Sequence, residues 1–139
     1  MISSIFRYVF LLFCITLIGC AALSTRSKAD RFDGAVNTYN SLIKWGDMQT
    51  ASKYIVNKGQ IPKYIDSSIM KNVRVVSYEI KYSKLSGDKR RATVVVEFLY
   101  THDYRPATYR LVDRQRWVFY PGAKVWRVEG KLPSFKFNR

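Results

Sequence analysis

The sequence has few of the residues that metal sites and disulfide bonds require. Its 139 residues include one histidine, His102, and two cysteines, Cys14 and Cys20. A zinc site needs three or four ligands held close together, and a disulfide needs two cysteines within the folded domain. The chain also lacks a glycine-rich phosphate loop, a Gly-x-Ser-x-Gly nucleophile motif and an internal repeat. We therefore expect no metal site and no cofactor.

Long apolar runs are also missing, and the one at the N-terminus is too short to span a bilayer. It follows Arg7 and covers residues 8–18, whereas a transmembrane helix needs about 20 apolar residues. A positive charge, a short apolar run and small residues after it are typical of a secretory signal peptide. We therefore expect residues 1–19 to be a cleaved signal peptide. An ordinary secretory signal without lipidation, or an uncleaved signal anchor, is the alternative.

The residues at the end of this run resemble the lipobox of bacterial lipoproteins, in which an aliphatic residue, a small or β-branched residue and glycine or alanine precede a cysteine. They are Leu17, Ile18, Gly19 and Cys20. The resemblance implies cleavage between Gly19 and Cys20, diacylglycerol on the Cys20 thiol and an acyl chain such as palmitate on the new N-terminus. Alanine at position 21, rather than aspartate, favours the outer membrane by resemblance to enterobacterial sorting. The expected location is the bacterial cell envelope, with the protein anchored by lipid and facing the periplasm.

Acidic residues are scarce relative to basic ones. The chain has 24 Lys and Arg against 10 Asp and Glu, which gives a formal net charge of +14. One interpretation is attraction to the membrane surface, to an envelope protein or to an anionic envelope polymer. The other is a basic solvated surface, which the spread of these residues along the chain favours. Aromatic residues beside basic ones are typical of single-stranded nucleic-acid platforms, but export argues against such a partner, so we expect no nucleic-acid binding.

Residues 20–29 are expected to tether a single domain, residues 30–139, to the membrane. After Cys20 this segment contains small and polar residues and no large aromatic side chain. Such a composition predicts a flexible linker.

The domain is expected to begin with helices. From Asp30 as N-cap to a left-handed stop at Gly46, apolar residues recur at three- and four-residue steps, which predicts an amphipathic helix. Asp47 is expected to cap a second helix, and a short third helix or turn is expected to end near Met70. The apolar positions of the first helix are Phe32, Val36, Tyr39 and Ile43.

Beyond Asn72 the apolar spacing changes to two residues, which predicts β-strands. Three further strands are expected at residues 92–104, 108–120 and 124–129, separated by proline-containing segments. Helices followed by four consecutive strands indicate an α+β fold, with N-terminal helices packed on a curved four-stranded antiparallel sheet. The first strand is expected to place on one face Val76, Tyr78, Ile80 and Tyr82.

The last predicted hairpin carries Gln115-Arg116-Trp117 and Val125-Trp126-Arg127-Val128. This hairpin and the order of elements over residues 30–133 resemble the cone-shaped fold shared by nuclear transport factor two, ketosteroid isomerase and scytalone dehydratase. The resemblance implies a sheet curved around a pocket beneath the helices. No catalytic residue of the ketosteroid isomerase branch carries over, because no strand carboxylate falls in a matching motif. A different helix-on-sheet sandwich with the same element order is the alternative fold.

Five strand residues are candidates for contacts with a pocket ligand or a partner. They are Tyr78, Tyr100, His102, Tyr109 and Asp113. His102 and Asp103 are neighbours at a strand end, so we expect them to point to opposite sides, to face solvent and to form no acid–base pair. Asp113 shares a strand face with Trp117 and is expected to be buried. It is either a pocket carboxylate or, as we favour, the partner of an arginine on the next strand.

Without a catalytic constellation, the sequence favours a non-catalytic binding or assembly module of the envelope. Strands rich in arginine and tyrosine are typical of a surface that docks a partner. The alternative is a small-molecule-binding protein or an enzyme that uses the pocket of a cone fold. A deep cavity with an inward-facing carboxylate or imidazole favours this alternative, whereas a filled interior favours the binding module.

Overall fold

The computed structural model describes residues 19–62 and 66–135, which form two α-helices and five strands. Residues 1–18 of the predicted signal peptide lie outside these ranges, and in the described part no helix is long and apolar enough to cross a membrane. The predicted α+β class is confirmed. The elements are α1 (Gly19–Lys44), α2 (Met48–Ser52), β1 (Ile55–Val56), a 3₁₀ turn (Ser67–Met70), β2 (Val73–Leu85), β3 (Arg91–His102), β4 (Arg105–Tyr120) and β5 (Val125–Glu129).

The five strands form one open sheet in the order β1-β5-β4-β3-β2. Neighbouring strands are antiparallel except β1, which runs parallel to β5 and pairs Ile55 with Val128. The expectation of four strands was therefore one strand short. A strand of two residues is too short to show an alternating pattern, and its segment follows directly on the second helix.

Helix α1 covers the described residues from Gly19 to Lys44, so Asp30 lies within it and the predicted N-cap is wrong. Residues 21–29, predicted to be a tether, are part of the helix. Alanine, leucine, arginine and lysine in this segment are strong helix formers, and neither proline nor glycine interrupts them. The other end agrees with the prediction: Gly46 has a left-handed φ of 78°. Asp47 then caps α2 by accepting a hydrogen bond of 3.0 Å from the Thr50 backbone N–H.

Helices α1 and α2 cover one face of the sheet, called here the inner face, and the hydrophobic core lies between these two layers. Trp117 of β4 is fully buried at its centre. Its ring lies edge-on to Phe32 and Tyr39 of α1, with ring centroids 6.0 Å and 5.6 Å away. The predicted apolar face of α1 is confirmed, because Val36 and Ile43 are buried with these two residues.

The opposite, outer face of the sheet carries exposed side chains and no described helix packs on it. Strand β2 departs from strict alternation, because it has bulges at Val76 and Lys81 that shift the side chains after them. Val76 and Tyr82 are therefore 50% and 48% exposed, whereas Tyr78 and Ile80 pack against the core. The expectation that all four share one buried face was wrong for the two exposed residues.

Candidate functional site

All five predicted site residues point to the inner face, but only three of them lie together. Tyr100 and Tyr109 are cross-strand neighbours on β3 and β4, and His102 follows Tyr100 on the same face. The three ring centroids are 5.6 Å, 5.6 Å and 5.7 Å apart. Burial raises the pKa of the Tyr100 hydroxyl. His102 is therefore half-buried against the two tyrosine rings rather than fully solvent-facing as expected, whereas Asp103, in the adjoining turn, is exposed.

Tyr78 lies apart from this group and belongs to the packed core. Its ring centroid is 6.0 Å from that of Phe98, and its hydroxyl lies 3.5 Å from the backbone oxygen of Asn37 on α1. Phe135, from the segment after β5, lies over Phe98 and Tyr100 with centroid distances of 5.8 Å and 5.1 Å. This part of the inner face is thus filled by the chain's own aromatic rings.

Asp113 belongs to a second group, which we call the inner polar cluster (Tyr39, Asn40, Asp113 and Gln115). Gln115 Nε2 donates to Asn40 Oδ1 at 2.8 Å and to Asp113 Oδ2 at 3.0 Å. Gln115 Oε1 accepts a hydrogen bond of 3.1 Å from Trp117 Nε1. The cluster joins α1 to β4 through the amide of Gln115. The partner of Asp113 is this amide rather than the arginine that was expected.

Burial changes the titration of both ionisable members of the cluster. It raises the pKa of the Asp113 carboxyl, although the hydrogen bond from Gln115 opposes the change. Burial, and then the negative charge of Asp113, raise the pKa of the Tyr39 hydroxyl far above its ordinary value. Among the described residues this hydroxyl has no hydrogen-bond partner. A neutral phenol beside a partly buried carboxyl is suited to orienting a polar group, and the cluster contains no serine, cysteine, lysine or histidine that could act as a nucleophile or base.

Asn40 and Gln115 were not predicted as site residues, although each interrupts an apolar pattern. Asn40 lies one helical turn after Val36, and Gln115 lies two residues before Trp117 on the inner face of β4. Both are buried. Buried side-chain polar atoms are nearly always hydrogen-bonded. A polar residue on the buried side of a helix and another on the buried side of a strand therefore indicate that the two residues contact each other.

The outer face presents apolar side chains next to arginines, and we call this group the outer patch (Tyr82, Val95, Val112, Arg114 and Arg116). The strand register places Val95 between Tyr82 on β2 and Arg114 on β4. Val112 is 52% exposed, although valine is an apolar residue usually found inside. The patch therefore combines exposed apolar area with guanidinium groups.

The two arginines of the outer patch differ from Arg110 in making no salt bridge within the described residues, although the strand register places Glu129 of β5 opposite Arg116. Glu97 lies 3.4 Å from Arg110 and 3.8 Å from Lys81, which neutralises much of the charge around it. Within residues 19–62 and 66–135, no carboxylate lies at salt-bridge distance from Arg114 or Arg116. Next to Arg116 a groove of about 350 Å³ opens between β2 and β5. Its lining includes Tyr82, Lys84, Arg91, Arg116, Val118 and Glu129.

The described part of the chain contains no group of three or more His, Cys, Asp or Glu side chains that could hold a metal ion. Comparison with known proteins adds no relative: no family model, no curated protein and no solved structure matches the chain.

Proposed function

We propose that this chain is a lipid-anchored protein of the bacterial envelope, a non-catalytic binding or assembly module that docks an acidic protein partner on the outer patch. The resemblance of residues 17–20 to the lipobox, after a short apolar run, supports cleavage of the signal peptide and acylation of Cys20. The position of the anchor is the outer membrane, with the domain facing the periplasm. A helical layer on one face of a mostly antiparallel sheet supports the cone-shaped fold as the finer description.

The outer patch is the observation that carries the docking proposal. Arginine and tyrosine are enriched at protein interfaces, where they combine apolar area with directed hydrogen bonds. An exposed ion pair contributes only about 0.2–1 kcal/mol. Most of the affinity therefore comes from covering Val112 and Tyr82. Arg114 and Arg116, which make no salt bridge among the described residues, select a partner that presents carboxylates.

Photocross-linking in intact envelopes tests this surface. A benzoylphenylalanine residue in place of Val112 is expected to give one defined protein adduct, whereas the same residue in place of Trp45 is expected to give none. Trp45 is a suitable control because it is 77% exposed but lies on the helical side. Equal labelling from both positions, or none from Val112, would contradict the proposal.

Reversing the charge of the two arginines tests whether they select the partner or whether apolar contact alone holds it. Arg114→Glu with Arg116→Glu is expected to reduce the Val112 adduct at least about tenfold, because two carboxylates then face an acidic partner. Lys58→Glu with Lys71→Glu changes the net charge equally at two other exposed positions and is expected to leave the adduct in place. An adduct that survives reversal of both arginines would exclude the acidic partner.

A small-molecule site on the inner face is the second candidate. The observation that favours it is the inner polar cluster, where the Tyr39 hydroxyl is buried without a hydrogen-bond partner beside Asp113. A polar small molecule that accepts a hydrogen bond from Tyr39 would satisfy this group. Native mass spectrometry of the full chain distinguishes the candidates, since only this one requires a bound small molecule that Tyr39→Phe releases.

A further inference from the structure

Two hairpin turns lie side by side at one end of the sheet, which we call the turn end (residues 86–90 and 121–124). The first turn joins β2 to β3, and the second joins β4 to β5. They are adjacent because the Phe119 backbone N–H donates a hydrogen bond of 2.8 Å to the Arg90 carbonyl oxygen. The turn end is thus a continuous surface built from neighbouring strands.

Helix α1 approaches the turn end with its N-terminal half. Trp126 Nε1 donates to the Lys28 carbonyl oxygen at 3.3 Å, and Lys28 Nζ lies 5.5 Å from the centroid of the Phe119 ring. From Lys28 the helix runs along the inner face towards Asn40. The residues of α1 that precede Lys28 therefore extend beyond the sheet at the turn end. Cys20 precedes Lys28 by eight residues, or about 12 Å of helix axis at 1.5 Å per residue.

The surface around this end of the domain is rich in cations. The second turn adjoins α1, since Lys124 and Arg31 line the same shallow depression. The nearby carboxylates are Asp30, Asp33, Asp88 and Glu129, of which Glu129 lines the same groove as Lys84 and Arg91, and Asp88 already accepts a hydrogen bond of 3.1 Å from the Arg90 backbone N–H. The cations outnumber these carboxylates. They are Lys28, Arg31, Lys84, Lys89, Arg90, Arg91 and Lys124.

We propose that the turn end binds the phosphate groups of anionic phospholipids and so holds the domain in one orientation on the membrane. This inference rests on the proposed lipid anchor at Cys20. The roughly 12 Å of helix axis between Cys20 and Lys28 is only slightly longer than one Debye length, about 8–10 Å at moderate salt, so salt screens the attraction between these cations and the headgroups only in part. Contact between the turn ends of two copies of the chain is disfavoured, because both carry the same sign of charge.

Energy transfer to headgroup-labelled lipids measures this orientation on the full, acylated chain in nanodiscs. A fluorophore on Gly122→Cys reports the turn end, and one on Tyr104→Cys reports the opposite end. Gly122 has open space around its Cβ position, and Tyr104 is 78% exposed, so both labels are accommodated. Sixteen residues of β4 separate the two ends by roughly 50 Å at about 3.3 Å per residue. On anionic nanodiscs, energy transfer from the label at position 122 is therefore expected to be at least about threefold more efficient than transfer from the label at position 104.

Charge reversal identifies the cause of the orientation. Lys89→Glu, Arg90→Glu and Lys124→Glu together are expected to abolish the difference between the labels, whereas Lys58→Glu, Lys71→Glu and Arg74→Glu are expected to preserve it. The sets are matched in charge, and both contain lysines with positive φ, namely Lys89, Lys124 and Lys58. Thermal melting of both variants is the check that each remains folded.

The outcomes separate this inference from the anchor on which it rests. A chain that is not retained on nanodiscs overturns both. A retained chain with equal transfer from the two labels, or with an orientation that survives reversal of the turn-end cations, overturns the lipid contact alone. An orientation that is equally strong on purely zwitterionic nanodiscs also overturns it, because the contact requires negative headgroups.

Discussion

At the scale of the residue, burial moves Asp113 and Tyr39 in the same chemical direction, towards their neutral forms. Both lose solvation when α1 covers β4, and for each group desolvation is the largest cause of its raised pKa. Gln115 compensates Asp113 in part by donating a hydrogen bond at 3.0 Å. The Tyr39 hydroxyl receives no such compensation from the described residues.

Asp113 is expected to make the protein less stable as pH rises. Its pKa in the unfolded chain is the ordinary 3.8, and in the folded chain it is higher. Between these two values the unfolded state has released the proton and the folded state has not, so the free energy of unfolding falls as pH increases through this window. Asp113→Asn removes this pH-dependent loss of stability and keeps a side-chain oxygen that accepts the hydrogen bond from Gln115.

The melting temperature of the Asp113→Asn variant relative to the wild type is measured from about pH 3.5 to 8. The variant is expected to match the wild type at the acidic limit and to melt at a higher temperature at neutral pH. A difference that is constant across the series would show that Asp113 has the same proton affinity in both states.

At the scale of the element, the main contact between layers is made by α1 and β4 through Trp117. Its ring meets Phe32 and Tyr39 of α1 and also lies 6.4 Å from Tyr54, which follows α2. Its Nε1 donates to Gln115, so the apolar and polar contacts between the layers share one residue.

Trp117→Ala is expected to lower the free energy of unfolding by about 3–5 kcal/mol, because it leaves a large cavity between the helices and the sheet. Trp45→Ala is the matched control. Trp45 is 77% exposed, so its replacement is expected to change stability by no more than about 0.5 kcal/mol. Equilibrium denaturation checks both values, and a near-neutral result for Trp117 would place its ring outside the core.

Predictability differed between the elements for physical reasons. The left-handed Gly46 at the end of α1 was predictable, because it depends on a local backbone preference. The start of α1 and strand β1 were not, since Asp30 continues an existing helix and Ile55 pairs with a distant strand. The same holds for the candidate site. The candidate strand residues lie on the inner face, but Asn40 and Gln115 form a pair only because α1 packs on β4.

At the scale of the whole molecule, the net charge of +14 is distributed in an uneven way. On the outer face Glu97 neutralises part of it near Arg110, whereas Arg114 remains without a carboxylate among the described residues. The turn end concentrates further cations beside α1. These two regions are the surfaces we propose for a protein partner and for lipid, and both depend on where Cys20 holds the chain.

Cys20→Ser is expected to abolish labelling by a fatty-acid probe and to release or misprocess the protein, because Cys20 is the proposed acylated thiol. Cys14→Ser is the matched control: Cys14 lies within the predicted signal peptide, so labelling is expected to remain. Mass spectrometry of the mature N-terminal peptide checks the attached lipid directly. Labelling that persists in Cys20→Ser would contradict the lipid anchor.

The sequence by itself determined the α+β class, the buried face of α1 and the scarcity of metal ligands, because periodicity and composition act locally. Only the tertiary structure decided that Val76 and Tyr82 lie outside the core, that His102 packs against two tyrosine rings and that Asp113 meets an amide. Strand register, bulges and helix packing bring together residues far apart in the chain, such as Asn40 and Gln115. Their contact depends on how whole elements pack, and no single segment carries that information.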